Sequence, residues 1–302
     1  MDRWTAAIRA GDFDSAWAMS AAWLALRDPA TRDDPRLPYH KRWVWDGRPF
    51  DGCDVLVRCY HGLGDTIQFA RYLPLLARRA ASLTVETQPS LVPLLSGIAP
   101  NARFVPFDQA HPSPPAACDI EITELPFALR EGPLCGAPYL TCDAEPLPAG
   151  TIGLCYEGGD WDRSRSIAPD AFTDICATNP VFTLVGAPTT LPVLNPQGCP
   201  MDMIATARAV AACALVVTVD TMIAHLAGAL GRPTALLLKA DPDWRWTPGA
   251  ATTPWYASMR LYHQTTPGDW SGPIAQLTKI LPRQGEVAPK ATEGEGGGAP
   301  SN

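Results

Sequence analysis

One pattern constrains this chain more than any other. A short apolar strand runs through a turn carrying an aspartate into a helix, once in each half of the sequence. In the first half Val55-Leu56-Val57 leads through His61-Gly62-Leu63-Gly64-Asp65-Thr66 to Phe69, Tyr72, Leu73 and Leu76 at helical spacing. In the second half Leu215-Val216-Val217-Thr218-Val219 leads through Asp220-Thr221 to a helix from Met222 to Leu230, with Gly231 as its expected C′ residue. The intervening sequence alternates in the same way. Further strands are expected at 83–85, 103–105, 119–122, 152–156, 182–185 and 234–238, and helices around 91–95, 125–129, 203–213 and 274–281. Pro74 is expected to kink the first long helix. Alternating β and α elements fold as parallel sheets with helices on their faces, so the fold class is α/β. Pro133, Pro138, Pro146 and Pro148 interrupt the pattern before it restarts. The expected division is therefore residues 39–140 as one βα domain, 141–283 as a second, and 284–302 as a disordered tail.

Residues 1–38 are expected to be a helical extension. Trp4, Ile8, Phe13, Trp17 and Leu24 are apolar at helical intervals, and Gly11-Asp12 divides them into two short helices. Ala10 to Trp17 resembles part of a tetratricopeptide unit, and a single such pair needs a neighbour to bury its inner face. An ordinary helical extension accounts for the same residues.

Composition narrows the function classes. With 46% hydrophobic and 18% charged residues the chain can bury substantial cores, and a net charge of −7 provides no chain-wide basic field for nucleic acid. The nine cysteines form no C-x-x-C pair and no zinc-type spacing, and Met1-Asp2-Arg3-Trp4 does not begin a secretory leader. Reduced thiols in the cytoplasm are the expectation. The longest apolar stretch, Ala209 to Val219, ends at Asp220, far short of the ~20 residues a membrane span requires.

Three loops carry candidate chemistry. In the first, His61, Gly62, Gly64, Asp65 and Thr66 lie between strand and helix; Ile67 stands where a dinucleotide fingerprint needs its third glycine. Asp65 at a helix N-terminus is favoured in its ionised form and suits either a proton acceptor or a plain N-cap. In the second, Asp220, Thr221 and Met222 open a helix whose free N–H groups suit a diphosphate, with His225 one turn along; a capped helix with a satisfied histidine fits equally. In the third, Glu157 to Ser166, Arg163 and Arg165 suit phosphate oxygens, and Ser166 closes the loop; a solvated polar loop is the alternative. Asp160-x-Asp162 and Asp241-x-Asp243 form D-x-D pairs, a weak metal pattern. Trp244, Trp246, Trp255 and Trp270 suit packing or sugar stacking.

The run Gly62-Leu63-Gly64-Asp65-Thr66-Ile67-Gln68-Phe69-Ala70-Arg71-Tyr72-Leu73-Pro74 resembles the start of glycosyltransferase family 9, the ADP-heptose:lipopolysaccharide heptosyltransferases, in the branch often fused to tetratricopeptide repeats. Val219-Asp220-Thr221 with Ala224 to Pro233 resembles that family's donor motif. Asp243-Trp244-Arg245-Trp246, Pro254-Trp255-Tyr256 and Gly268-Asp269-Trp270 resemble its C-terminal signature. The resemblance spans about residues 40–282. It implies a GT-B fold, two Rossmann-like domains facing across a cleft, and an inverting transfer from a nucleotide-diphosphate sugar that needs neither cofactor nor metal. Asp65 then matches the catalytic base, and His61, Gly62, Gly64 and Thr66 belong to the acceptor loop. Asp220, Thr221, Met222 and His225 match donor-binding positions, with Arg163, Arg165 and Ser166 in the companion loop. The implied acceptor is a glycan, lipopolysaccharide or protein hydroxyl, with peripheral membrane contact only through it. Two departures stand out: Met222 replaces a usual glycine, and residues 157–166 hold no lysine. The alternative is a catalytically degenerate GT-B protein that binds nucleotide or glycan, or docks a partner.

Overall fold

The computed structural model describes residues 2–134, 137–200 and 202–281; the expected tail at 284–302 lies outside them. The chain opens with a helical pair, α1 (Arg3–Ala10) and α2 (Phe13–Ala25). Gly11 ends α1 in the left-handed conformation, and the Asp12 carboxylate caps α2 by accepting from Ser15 N. A first set of elements follows: β1 (Asp54–Arg58), α3 (Leu63–Phe69), α4 (Leu73–Ala77), β2 (Ser82–Thr87), α5 (Val92–Leu95), β3 (Ala102–Pro106), β4 (Cys118–Glu121) and α6 (Leu125–Leu129). The second set is β5 (Ile152–Cys155), α7 (Thr173–Thr178), β6 (Val181–Thr183), α8 (Met203–Ala212), β7 (Leu215–Val219), α9 (Met222–Ala229), β8 (Thr234–Leu238), β9 (Met259–His263) and α10 (Ser271–Ile280). No helix or strand occupies the described residues between α6 and β5.

Two wholly parallel sheets result, in the orders β3-β2-β1-β4 and β6-β5-β7-β8-β9. The central strands are apolar because helices cover both faces: all five residues of β8 are buried. Pro74 acts as expected. The helix that starts at Leu63 tightens into a 3₁₀ turn over Ala70–Tyr72 and restarts as α4 with Pro74 in its first turn. Strand β9 and helix α7 were not expected. Both are short; β9 is an edge strand with a mixed burial pattern, and α7 buries only Ile175 and Cys176.

The helical pair does not stand apart. Arg9 donates to the carbonyls of Pro242, Asp243 and Trp244, and Trp4 meets Trp244 edge to face at 5.2 Å between ring centres. On the other side Trp17 lies against Phe127, and Arg27 pairs with Glu124 at 2.5 Å. The neighbour that a lone helical pair requires is thus supplied by both sheet-bearing halves.

At the centre lies Arg71, 6% exposed. Its guanidinium donates to the carbonyls of Gln68, Pro133 and Trp255 at 2.7–2.8 Å and to the Tyr139 hydroxyl at 3.3 Å. One side chain therefore ties the first half, the connecting segment and the second half together.

Candidate active site

Both aspartate loops lie at topological switch points. The chain moves from β1 to β2 and β3 on one side, then places β4 on the other, so a crevice opens beyond the carboxyl ends of β1 and β4. His61 to Thr66 follow β1, and Glu121 to Glu124 follow β4. The second sheet repeats this logic between β5 and β7, where residues 157–166 and Asp220-Thr221 emerge.

Helices α3 and α9 pack against each other, so the two loops meet. The contact depends on Gly64. A Cβ there would lie 2.9 Å from His225 Cδ2 and 3.4 Å from Met222 Cα. Neither Gly62 nor Gly64 takes a left-handed conformation. Close approach of backbone to the opposite helix, not turn geometry, is what Gly64 provides.

Asp65 sits in the first turn of α3. Its Oδ2 accepts from Gly62 N at 3.1 Å, and Oδ1 pairs with Arg245 Nη2. Arg245 is further fixed by Asp243 at 2.8 Å and by Gln68 Oε1 at 2.5 Å, and it lies over the rings of Trp244 and Phe69. His61 Nδ1 is 2.9 Å from Glu121 Oε1. Burial works against charge on this imidazole, but Glu121 and Asp65 outweigh it and raise its pKa above the usual histidine value. Thr66 is buried and gives its hydroxyl to Gln88, which in turn holds the His61 carbonyl at 2.7 Å. Asp65, His61 and Arg245 line a cavity of about 390 Å³ whose opposite wall comes from α1 and α2.

On the other side, Asp220 lies behind the α9 N-terminus. Burial pushes its carboxyl up to about 6, and the neighbouring Asp243 adds to the effect against the pull of Arg245. Thr221 is the N-cap of α9 and Met222 its first residue; Ala224 N donates to the Thr221 carbonyl at 3.0 Å, which leaves the amides of Met222 and Ile223 at the open end of the helix. His225 is buried and donates to, or accepts from, the Tyr256 hydroxyl at 3.0 Å while stacking on Trp246. Burial, reinforced by Arg245 and Arg71, keeps it neutral, with a pKa well below the usual value.

The third loop is held in place by its own cations. Arg165 is buried, donates to the Asp220 carbonyl at 2.6 Å and stacks on Trp161. Its guanidinium thus braces one loop against the other. Arg163 is exposed and pairs with Asp160, and Ser166 Oγ accepts from Gly158 N at 3.0 Å. A second cavity, of about 340 Å³, is bordered by Glu157, Gly158, Arg163 and Ser166. Lys239, just beyond β8, reaches this loop and pairs with Asp162 at 2.7 Å. Hydrogen bonds from Lys239 and Ser164 hold the Asp162 carboxyl at about 2.

Sequence reasoning missed Arg245, Lys239 and Glu121 as members of these sites. Arg245 and Asp65 are 180 positions apart. Lys239 had one readable signal, its place at the carboxyl end of an apolar strand. Glu86, at the end of β2, lies in a buried network with Arg58 and Asp119.

No protein-family model matches the chain, and no curated protein matches it by sequence. Solved structures do. The dodecameric, iron-containing glycosyltransferase TibC from enterotoxigenic E. coli H10407 superposes at TM-score 0.56 with 11% identity, over 72% of this chain and 65% of that one. TibC in complex with ADP-D-β-D-heptose gives the same values. The family 9 glycosyltransferase from Veillonella parvula DSM 2008 superposes at 0.50 with 13% identity, over 79% of this chain and 92% of that one. The chain has the GT-B fold of these heptosyltransferase-like glycosyltransferases. It spans about two thirds of TibC's length. Among the described residues no group of three or more His, Cys, Asp or Glu side chains is arranged to hold a metal ion. Of the D-x-D carboxylates, Asp160 pairs with Arg163, Asp162 with Lys239 and Asp243 with Arg245. Among the described residues no helix is long and apolar enough to cross a membrane.

The Asp220 environment makes a prediction with a definite sign. A carboxyl raised from 3.8 to about 6 binds a proton in the folded state that the unfolded chain releases, so between these values its contribution to stability falls as pH rises. Asp220→Asn removes that penalty. The variant is expected to melt about 2–4 °C above wild type at pH 7, with the difference vanishing near pH 4. Scanning calorimetry across pH checks this; equal melting temperatures at pH 7 refute it.

Proposed function

We propose that this protein is an inverting, metal-independent glycosyltransferase that moves a sugar from a nucleotide-diphosphate sugar, of the ADP-heptose kind, to the hydroxyl of a glycan, lipopolysaccharide or protein acceptor. One observation carries the reading: Asp65 faces an open cavity while the α3 and α9 N-termini abut through Gly64, Met222 and His225. A base and a helix end suited to an anion thereby stand side by side. Asp65 takes the acceptor proton. The acceptor oxygen attacks the anomeric carbon from the face opposite the diphosphate. Amides of Thr221 and Met222 meet the charge that grows on the leaving diphosphate, and Asp220 holds donor-sugar hydroxyls. Arg165 keeps the 157–166 loop in register with Asp220, while Arg163 and Lys239 supply positive charge near the second cavity. The division into an acceptor domain at 39–140 and a donor domain at 141–283 belongs to the same reading, as does a cytoplasmic location.

Donor binding without transfer is the second reading. It is favoured by one feature: both carboxylate oxygens of Asp65 are engaged, one by Gly62 N and one by Arg245. A thermal-shift panel of ADP, UDP, GDP and CMP with their sugar conjugates tests donor binding. A ligand at a hundred times its Kd stabilises by about 2.7 kcal/mol, so the donor is expected to raise Tm by several degrees, and Asp220→Ala to lose most of that rise. A well-folded sample that responds to no nucleotide overturns the proposal. A response with no sugar transfer favours the second reading.

A further inference from the structure

Asp65 is poorly placed to keep a proton. Its Oδ2 accepts from Gly62 N and its Oδ1 is paired with Arg245, so each oxygen already faces a donor. A proton set on either oxygen would point a new O–H at an N–H, and the ion pair with Arg245 would lose its negative partner. Another group has to take that proton on. Glu124 borders the same cavity, but its Oε1 is given to Arg27 and its Oε2 is buried. His61 is different. It borders the cavity, its side chain is 34% exposed, and its buried Nδ1 lies 2.9 Å from Glu121 Oε1. With Nδ1 turned inward, the open edge of the ring is the one that carries Nε2. Glu121 is itself fixed, accepting from Tyr60 N at 3.2 Å and from Thr123 N at 2.7 Å. The Nδ1 contact is at ion-pair distance without hydrogen-bond alignment, as catalytic pairs often stand before substrate tightens them.

We propose that the Glu121–His61 pair takes up the proton that leaves the acceptor hydroxyl, with Glu121 as the positioning residue that presents the imidazole. As the acceptor oxygen bonds to the anomeric carbon, the electron pair of the C–O bond to the diphosphate departs with the diphosphate. The acceptor's proton passes to Asp65 and from there to Nε2 of a neutral His61, which returns it to solvent at the cavity mouth. Asp65 recovers its ionised form and its pairing with Arg245. The buried carboxylate beside Nδ1 steadies the imidazolium, the role such a carboxylate plays in a carboxylate–histidine pair. The charges around the ring are Glu121 from β4, Glu124 from the turn after it with Arg27 beyond, Asp65 from α3 and Arg245 from the segment after β8. Burial and Arg245 disfavour the charged ring, but Glu121 and Asp65 outweigh them and raise its pKa above the usual histidine value. The inference rests on the transfer proposed above and assigns the proton's destination.

Two measurements test it. The chain has five histidines, so imidazole NMR on histidine-labelled protein resolves them, and His61→Gln removes the signal to be followed. That signal is expected to titrate above the usual histidine value in wild type and to move down in Glu121→Gln. A titration that Glu121→Gln leaves unmoved overturns the pairing. Transfer from ADP-heptose to a bacterial core oligosaccharide gives the second readout. His61→Gln is expected to lower kcat about 10²-fold, with KM for the oligosaccharide within about twofold of wild type. The loss of rate as pH falls through the His61 titration should vanish in that variant. In His61→Ala, added imidazole should restore part of the rate in a saturable way, which a merely structural histidine would not allow. A His61→Gln rate within about threefold of wild type, in a sample folded by circular dichroism, overturns the inference and leaves the transferase reading standing. A wild-type chain that binds a nucleotide sugar but transfers nothing overturns both.

Discussion

Asp65→Asn is expected to lower the rate of sugar transfer by about 10²–10⁴-fold, the range a positioned general base contributes. The substitution keeps the side chain's size and its place at the start of α3. Arg245 retains Asp243 and Gln68 as partners, so the surrounding structure is held without the Asp65 carboxylate. Donor binding should survive, because Asp220 and the α9 N-terminus are untouched. The measurement is ADP release from ADP-heptose in the presence of a bacterial core oligosaccharide, paired with the nucleotide thermal shift of the same variant. A rate within tenfold of wild type refutes the base assignment. Loss of the thermal shift together with the rate points to a positioning role for Asp65. The ion pair with Arg245 adds a second consequence. For Asp65 to take a proton, the acceptor hydroxyl must approach an oxygen that Gly62 N and Arg245 now occupy, so Arg245 has to share or shift when the acceptor enters.

Arg71→Met is expected to destabilise the protein by about 3–5 kcal/mol, lowering Tm by roughly 10 °C. The expected cost arises because the replacement fills similar volume but leaves the Pro133 and Trp255 carbonyls buried without their donor. The residue also stacks its guanidinium on Tyr139 and Tyr256, with 4.9 Å and 4.5 Å to the ring centres. Arg71→Lys should recover only part of the loss, since an ammonium cannot reproduce the forked geometry. Urea unfolding of the three proteins measures this, and a change below 1 kcal/mol for Arg71→Met shows that the tie is dispensable.

The periodicity that placed β1 to β8 is local. An apolar strand buried on both faces needs a continuous hydrophobic run, and Leu215–Val219 and Thr234–Leu238 announce themselves on that ground. Helix ends were legible for the same reason: Gly231 is left-handed beyond α9, Asp12 caps α2, and Pro74 sits where a helix can begin but not continue. Strand β9 was not legible because an edge strand is specified on one side only. Its residues alternate irregularly between buried and exposed.

Within the candidate site, the sequence by itself determined which residues stand at the carboxyl ends of strands. His61, Asp65, Asp220 and Thr221 had to emerge there, because strand, turn and helix succeed one another directly along the chain. Only the tertiary structure decided what those residues face. That Arg245 holds Asp65, that Lys239 reaches Asp162, that Gly64 admits His225, and that Trp17 and Glu124 share a cavity are matters of distance between elements far apart in the chain. Backbone periodicity carries no information about such pairings. They follow from how two twisted sheets and a helical pair close upon one another, a global minimum of burial and hydrogen bonding that no short segment encodes.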